Sequence, residues 1–268
     1  MSYQMNTFLE GLQVFVSLTF LLYASWSDLK TREVSNKVWI LFAPIGLALT
    51  LIQIFFFDFN LNDALYWLGV SVGITSVLAI ALFYAGAYGG ADAKALICLS
   101  FTLPFYPTNF INLASDSPIF PLSVFSNAVI LAALSVVYVF LRNLYWRQKT
   151  GKRFFEGLKE ESKGRRLLAL LSGYKIKLES LEKSEFSYPL EDIQVSETGE
   201  IKRKLLVFPK DEKREDIVQR ITAAAKEGKN IDWVWATPGL PMLVFITAGL
   251  IIALVLGDFV WIILGHLL

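Results

Sequence analysis

Cysteine and histidine are almost absent from this chain of 268 residues, which has one of each, Cys98 and His266. A single cysteine excludes an intrachain disulfide framework and a zinc site made of paired CxxC motifs. A single histidine close to the C-terminus argues against histidine-based catalysis and against histidine-ligated metal sites. We therefore expect no metal and no cofactor. If the protein is a catalyst, its reactive groups are therefore expected to be carboxylates, lysines or hydroxyls.

Charged residues are scarce outside one segment of the chain. They make up 18% of the sequence, against 54% hydrophobic residues, and they concentrate between Arg147 and Asp232. The remainder is divided into apolar runs of about 20 residues, the length that crosses about 30 Å of hydrocarbon. This composition is typical of a membrane protein. The net charge of +1 gives no reason to expect a nucleic-acid partner.

Six membrane spans are predicted from these runs. Five runs have the full length, at 8–26, 38–57, 64–86, 122–144 and 242–264. The fourth span in chain order is the shorter run at 93–103, whose continuation is interrupted by Pro104 and Pro107. A re-entrant segment is the alternative for this short run. Most tryptophans, Trp235 among them, fall near predicted span ends, as an aromatic belt would.

Lysine and arginine are missing from the predicted outer loops. If the N-terminus lies outside, the connections at 58–63 and 104–121 and both tails carry none, and all 25 basic residues become cytosolic. The positive-inside rule favours this orientation. We therefore expect a multi-pass protein of the cell membrane with both termini outside. The predicted fold class is an all-α polytopic membrane protein with six transmembrane helices and a small cytosolic α+β insertion between helices 5 and 6.

The insertion before the last span is polar and has its own periodic patterns. Helices are predicted at 165–172 and 215–226, strands at 174–178 and 201–208, and a turn at 197–200. Its charges are those of a solvated surface, and the basic run 147–153 has the composition that attracts anionic lipid. The predicted division is a membrane core at 1–144 with the first five spans, a cytosolic insertion at 145–236 and the sixth helix at 237–268.

Two aspartates lie at the predicted cytosolic ends of spans. Asp28 follows the first span, and Asp92 lies between the third and fourth. Such a pair suits an aspartic protease, in which one carboxylate takes a proton from water while the other, protonated, polarises the scissile carbonyl. Taken alone, each aspartate is explained as well by a structural role as by a catalytic one, Asp28 as an interfacial charge at a helix end and Asp92 as the cap of the fourth helix. Their joint placement favours a catalytic pair. The remaining aspartates near span ends are expected to serve polar loops: Asp58, Asp63, Asp116 and Asp258.

Three glycines, Gly86, Gly89 and Gly90, precede Asp92. Glycine permits backbone conformations and close chain approach that other residues resist. We expect Gly89, Gly90 and Ala91 to lie beside an extended substrate. A tight turn between two spans would need the same glycines, and this alternative stays open.

The segments around both aspartates resemble the motifs of the type IV prepilin peptidases. Asp28 to Asn36 reads Asp-Leu-Lys-Thr-Arg-Glu-Val-Ser-Asn and is similar to their Asp-x-x-x-x-x-Ile-Pro-Asn. Gly89 to Lys94 is similar to GxGD followed by x-Lys, and Thr237 to Pro241 to the proline-bearing start of their last span. Two residues depart from the usual pattern: Ala91 replaces the second glycine of GxGD, and Ser35 replaces the proline. The form Gly-Gly-Ala-Asp-Ala-Lys resembles the archaeal preflagellin (prearchaellin) peptidases of FlaK type.

This resemblance implies a membrane-embedded aspartic endopeptidase with Asp28 and Asp92 as its catalytic residues. It would remove the short basic leader peptide from preflagellins or type IV pilin-like precursors at the cytosolic membrane face. The partners implied are these substrates and the lipid bilayer, while the oligomeric state is left open. Glu33 is expected to attract the basic leader. The lack of paired CxxC motifs excludes the insertion linked with N-methylation in bacterial bifunctional members.

Two alternatives compete with this interpretation. A presenilin-like intramembrane protease would embed its first aspartate in an apolar helix, whereas Lys30 and Arg32 follow Asp28 closely. A transporter or assembly subunit would use the carboxylates for proton relay or packing. It predicts polar residues across the midplane of several spans, and these are sparse in the sequence.

Overall fold

The computed structural model describes residues 2–57, 60–108, 119–158, 160–184, 186–195, 201–206, 213–227, 231–239, 241–260 and 262. Asp58, Asp116, His266 and the predicted turn at 197–200 lie outside the described residues. The chain divides into two compact units, Met1–Ala132 with Pro241–Leu268, and Ala133–Leu240. We call them the membrane unit and the α+β unit. The boundary between them falls inside one long helix.

Helices dominate the part of the chain that the structure describes. They are α1 (Ser2–Thr31), α2 (Asn36–Phe57), α3 (Leu61–Tyr84), α4 (Gly90–Thr102), α5 (Phe120–Thr150), α6 (Lys163–Ser172), α7 (Leu178–Lys183), α8 (Arg214–Lys226) and α9 (Met242–Val255). The strands are β1 (Tyr174–Lys177), β2 (Ser187–Pro189), β3 (Glu191–Val195), β4 (Ile201–Leu205) and β5 (Trp233–Pro238).

Four helices, α1, α2, α3 and α5, are long and apolar enough to cross a membrane among the described residues. They correspond to the predicted spans 1, 2, 3 and 5, so the class of polytopic membrane protein holds. The prediction of six spans is not confirmed. The fourth helix, α4, has only 13 residues, which cover about 20 Å at 1.5 Å each. In the last predicted span, α9 covers 14 residues.

The short helix α4 lies at the centre of the membrane unit. It packs against α1, α2, α3 and α9, and most of its side chains are buried. Irregular backbone is tolerated at membrane depth where protein encloses it, which explains why the chain leaves the helix after Thr102. The Ser71 hydroxyl donates to the Pro104 carbonyl at 3.0 Å. The Glu10 carboxylate accepts from the Thr108 N–H at 3.0 Å.

Glycine and small polar residues let the helices of the membrane unit approach closely, as is usual in membranes. A Cβ on Gly249 of α9 would lie 2.6 Å from the Val124 carbonyl oxygen and 2.9 Å from the Ala128 nitrogen of α5. The hydroxyls of Ser25 and Thr247 share a hydrogen bond of 2.7 Å between α1 and α9. The contacts of Gly249 leave no space for a larger side chain at the α5–α9 crossing.

The α+β unit contains two antiparallel sheets. One has the strand order β1-β5-β2, and the other pairs β3 with β4. The predicted helices at 165–172 and 215–226 are confirmed as α6 and α8, and the predicted strands at 174–178 and 201–208 match β1 and β4.

The strand β5 differs from the sequence prediction. The sequence pattern places Thr237 and Pro238 at the start of the last span, but they end β5, and α9 begins only at Met242. The same pattern places Trp235 in an aromatic belt, but it is fully buried in the core of the α+β unit. Both errors have one cause, because β5 forms by pairing with β1 and β2, which lie far away in the sequence.

A buried carboxylate joins the two sheets of the α+β unit. Glu191 Oε1 accepts from Lys175 Nζ at 3.0 Å and from the Trp235 N–H at 2.7 Å. Its Oε2 accepts from Arg203 Nε at 2.9 Å. Burial lowers the pKa of Lys175, the Glu191 carboxylate opposes this shift, and the charge of Arg203 adds to it. Glu191 therefore connects β3 to β1, β4 and β5 at once.

Removing this carboxylate should destabilise the α+β unit. We expect Glu191→Gln to lower the free energy of unfolding by about 3–5 kcal/mol, because Lys175 and Arg203 lose their buried counter-charge. The control Glu160→Gln breaks an exposed ion pair with Lys202. It should change the free energy of unfolding by about 1 kcal/mol or less. Thermal unfolding of the full chain in detergent, followed by tryptophan fluorescence, measures both. Equal midpoints for the two variants would contradict this role of Glu191.

Gly249 offers a second test, in the membrane unit. Gly249→Ala should destabilise the protein by about 1–3 kcal/mol, because the added methyl meets the backbone of α5. The control is Gly73→Ala in α3, where a Cβ meets no atom within 4 Å. The free energy of unfolding of that variant should rise by up to about 1 kcal/mol, because alanine has a higher helix propensity than glycine. A Gly249→Ala protein that unfolds at or above the wild-type temperature would contradict the close contact between Gly249 and the backbone of α5.

Candidate active site

Asp28 lies one turn before the end of α1. Its carbonyl accepts from the Arg32 N–H at 3.0 Å, and Arg32 has a φ of 57°, which ends the helix. The Ser27 hydroxyl then donates to the Glu33 carbonyl at 2.7 Å and folds the following loop back on the helix end. Asp28 is half-buried there, and the charge of Arg32 acts on its carboxyl group.

Asp92 is the third residue of α4. Its Oδ2 accepts from the Gly89 N–H at 3.0 Å, so the carboxylate caps the first turn. The structure therefore confirms that Asp92 caps α4. A Cβ on Gly89 would lie 3.0 Å from the same oxygen, so glycine gives the carboxylate room to fold back. Asp92 is only 9% exposed, which is much deeper than capping alone requires.

The two aspartates come together within the membrane unit. Their helices α1 and α4 contact each other, and the charge of Asp28 acts on Asp92. No hydrogen bond joins the two carboxyl groups in the described part of the chain. The contact between α1 and α4 thus brings the two motif segments together.

A hydrogen bond links the two motif segments. Lys94 Nζ donates to Asn36 Oδ1 at 2.7 Å. Asn36 begins α2 and ends the first motif, and Lys94 stands two residues after Asp92. Sequence reasoning had no role for this lysine. The signal was nevertheless present, because both residues belong to the segments that resemble the family motifs.

Tyr88 is a second residue that sequence reasoning missed. It is buried in the loop between α3 and α4, with its ring 5.9 Å from that of Phe125. Among the described residues its hydroxyl has no hydrogen-bond partner. Burial raises the pKa of the Tyr88 phenol, and the charge of Asp92 raises it further. The phenol therefore stays neutral and able to donate beside Asp92.

The predicted substrate-binding residues have different environments. Gly89 and Gly90 lie at the start of α4 beside Asp92, while the Ala91 side chain packs against the core of the membrane unit. Glu33 is exposed in the loop after α1. The structure thus brings the two glycines to the aspartates and leaves Glu33 at the surface.

The other described aspartates of the membrane unit accept hydrogen bonds from uncharged side chains. Asp63 accepts from the Asn60 side chain at the start of α3, and Asp258 accepts from the Ser126 hydroxyl at 2.9 Å. Within the described ranges no three His, Cys, Asp or Glu side chains are grouped so that they could hold a metal ion.

Two family models match consecutive parts of the chain. Residues 15–139 match the Type IV leader peptidase family, and residues 165–259 match the Archaeal Peptidase A24 C-terminus Type II. The first match contains both aspartates, and the second covers most of the α+β unit and α9.

Curated relatives agree with these matches. A preflagellin peptidase of Methanococcus voltae is 29% identical over 253 residues, which are 91% of this chain and 94% of the relative. One of Methanocaldococcus jannaschii is 28% identical over 247 residues, 89% of this chain and 91% of the relative. The prepilin peptidase EppA of Methanothermobacter thermautotrophicus is 30% identical over 168 residues, 57% of this chain and 41% of the relative. The chain belongs to the type IV leader peptidase family of membrane proteases, with the C-terminal region of its archaeal type II members.

Proposed function

We propose that the protein is an aspartic endopeptidase that removes the short basic leader peptide from preflagellins, with Asp28 and Asp92 as its catalytic pair. One observation carries the proposal: the helices α1 and α4, which bear the aspartates of the two motif segments, contact each other. The substrate class follows the names of relatives that align along 89% or more of this chain. The same relatives favour this function over an intramembrane protease of presenilin type or a transporter.

The proposed chemistry needs no group beyond the two carboxyls and water. One carboxylate removes a proton from water, whose oxygen attacks the scissile carbonyl carbon. The other carboxyl group, protonated, donates to the carbonyl oxygen, so that a tetrahedral diol forms. The C–N bond then breaks: the amine takes a proton from the first carboxyl group, a diol hydroxyl returns a proton to the second carboxylate, and the acid and amine products leave. The pair ends with the proton count with which it began.

Substrate binding is proposed at the start of α4 and at the loop after α1. The backbone of Gly89, Gly90 and Ala91 would lie along an extended substrate. Ala91 would contribute only its backbone, since its methyl group faces the core. Glu33 is exposed and acidic, which suits it to attract a basic leader.

The proposed topology has six crossings with both termini outside and the aspartates on the cytosolic side. The distribution of Lys and Arg supports it. α4 would complete its crossing through the non-helical residues that follow Thr102, and α9 through the residues after Val255. The division proposed with this topology is a membrane core at 1–144, a cytosolic insertion that runs from residue 145 to the end of β5 at Pro238, and a last helix from Met242.

Neutral substitutions of the two aspartates test the catalytic pair. Asp28→Asn and Asp92→Asn should each lower cleavage of a preflagellin by about 10²–10⁴-fold, the usual contribution of one acid–base group. The amide oxygen introduced by Asp92→Asn could still accept from the Gly89 N–H, so α4 keeps its cap. Cleavage is measured on gels with purified protein in detergent.

The matched control is Asp63→Asn, which removes a carboxylate at the start of α3. It should cleave at the wild-type rate. Thermal midpoints of all three variants must stay near that of the wild type. Full activity in either the Asp28 or the Asp92 variant would exclude the proposed pair.

The pH dependence of cleavage provides a separate test. A pair that must hold one proton loses activity when both carboxyl groups are protonated and again when both are ionised. We therefore expect a bell-shaped profile of kcat/KM against pH. A profile that rises to a plateau without an alkaline limb would contradict proton sharing.

A further inference from the structure

The helix α6 of the α+β unit is apolar on two sides. Ala169 and Leu170 face inward and pack with the cluster around Trp235. Leu167 and Leu168, however, are 56% and 44% exposed. A helix at a watery surface normally turns polar residues outward, and a neighbouring pair of exposed leucines marks a surface that meets something apolar.

α6 is held against the membrane-spanning helix α5. The Asn143 amide of α5 donates to the Leu170 carbonyl at 3.2 Å and to the Gly173 carbonyl at 2.7 Å. Its Oδ1 accepts from the Lys175 N–H at 3.3 Å. Asn143 is fully buried and precedes Arg147 by four residues, about 6 Å along the helix. The C-terminal end of α6 is thus fixed at the level where α5 leaves its apolar run.

A basic cavity lies beside this point, at the end of α5. It has a volume of about 1060 Å³, and Phe154 and Phe155 are part of its wall. Its charged lining residues are Arg147, Lys152, Arg153, Glu156 and Arg166. Arg166 belongs to α6, so the same helix carries the exposed leucines and one of the cations.

The cations of this cavity are only partly neutralised. Lys152 pairs with Asp232 at 3.2 Å, and Arg166 donates to the Leu158 carbonyl at 3.1 Å. In the described part of the chain Arg147 and Arg153 form no ion pair. The basic leader of the proposed substrate has the same charge sign as the cavity and is therefore an unsuitable occupant. A phosphate anion at the membrane surface has the required charge and position.

We propose that α6 lies in the membrane interface and that the basic cavity binds the phosphate of an acidic lipid headgroup. Leu167 and Leu168 enter the region between headgroups and acyl chains, as the apolar face of an interfacial helix does. The arginines at the end of α5 are attracted to the negative surface potential of the leaflet. The α+β unit is then held on the bilayer by two contacts besides α5 itself.

Depth-dependent quenching tests the position of α6. The full chain is reconstituted in nanodiscs made of equal parts phosphatidylcholine and phosphatidylglycerol, some of the lipids brominated near the headgroup. A fluorophore is attached to Leu168→Cys or, as a control, to Gln219→Cys on the exposed side of α8. Cys98 is buried, and the unsubstituted chain reports any background labelling. We expect several-fold stronger quenching at position 168 than at 219. Equal quenching at the two positions would overturn the interfacial placement.

Ligand-induced thermal shifts test the cavity. Dioctanoyl-phosphatidylglycerol should raise the unfolding midpoint of the full chain in neutral detergent by several degrees, while dioctanoyl-phosphatidylcholine should not. Arg147→Gln combined with Arg153→Gln should abolish the shift. The control combines Lys213→Gln, just before α8, with Lys226→Gln at its end and removes the same amount of positive charge. The thermal shift should persist in this control.

The outcomes separate the sources of the phosphate. An equal shift with inorganic phosphate would overturn the lipid assignment and indicate a free-anion site. If phosphatidylglycerol still shifts the midpoint of the double arginine variant, the cavity is not the lipid-binding site. Preflagellin cleavage by that variant in neutral detergent should equal wild type. Its loss would count against this proposal alone, because the catalytic pair is tested separately by the aspartate variants.

Discussion

Hydrocarbon offers no hydrogen bonds, so the backbone polar groups of a chain in the membrane must find their partners in the protein. This constraint explains the position of α4 at the centre of α1, α2, α3 and α9. Enclosure there satisfies the irregular backbone after Thr102 through Ser71 and Glu10. It also allows a carboxylate to stand at the other end of the helix. Asp92 is bonded to the Gly89 N–H at its own helix terminus, and Asp28 approaches from α1.

The two departures from the usual family motifs have structural explanations. Ala91 lies inside α4 with helical backbone, and its methyl group packs into the core, so this position does not require glycine. Ser35 precedes α2, and its hydroxyl accepts from the Lys37 N–H at 3.4 Å. Serine is common just before a helix because its hydroxyl can accept from a backbone N–H of the first turn. Ser35 can therefore start α2 where the family usually has proline.

Local patterns predicted the features that depend on local interactions. The long apolar helices, α6, α8, β1 and β4 were predicted because a span or an amphipathic repeat is visible in one stretch of sequence. The two aspartates were selected because they lie at the ends of two such spans within motif segments, and this assignment stays a prediction. The length of α4, the strand β5 and the buried position of Trp235 depend on distant partners, which no local pattern shows. The same holds for the Lys94–Asn36 bond and the environment of Tyr88.

The strand order β1-β5-β2 has a consequence for biosynthesis. The central strand of this sheet is the last in the chain, and α9 begins four residues after it. During translation β1 and β2 must wait without their shared neighbour until Trp233–Pro238 leaves the ribosome. Non-local strand pairing of this kind forms late. Completion of the sheet and synthesis of α9 are therefore consecutive events.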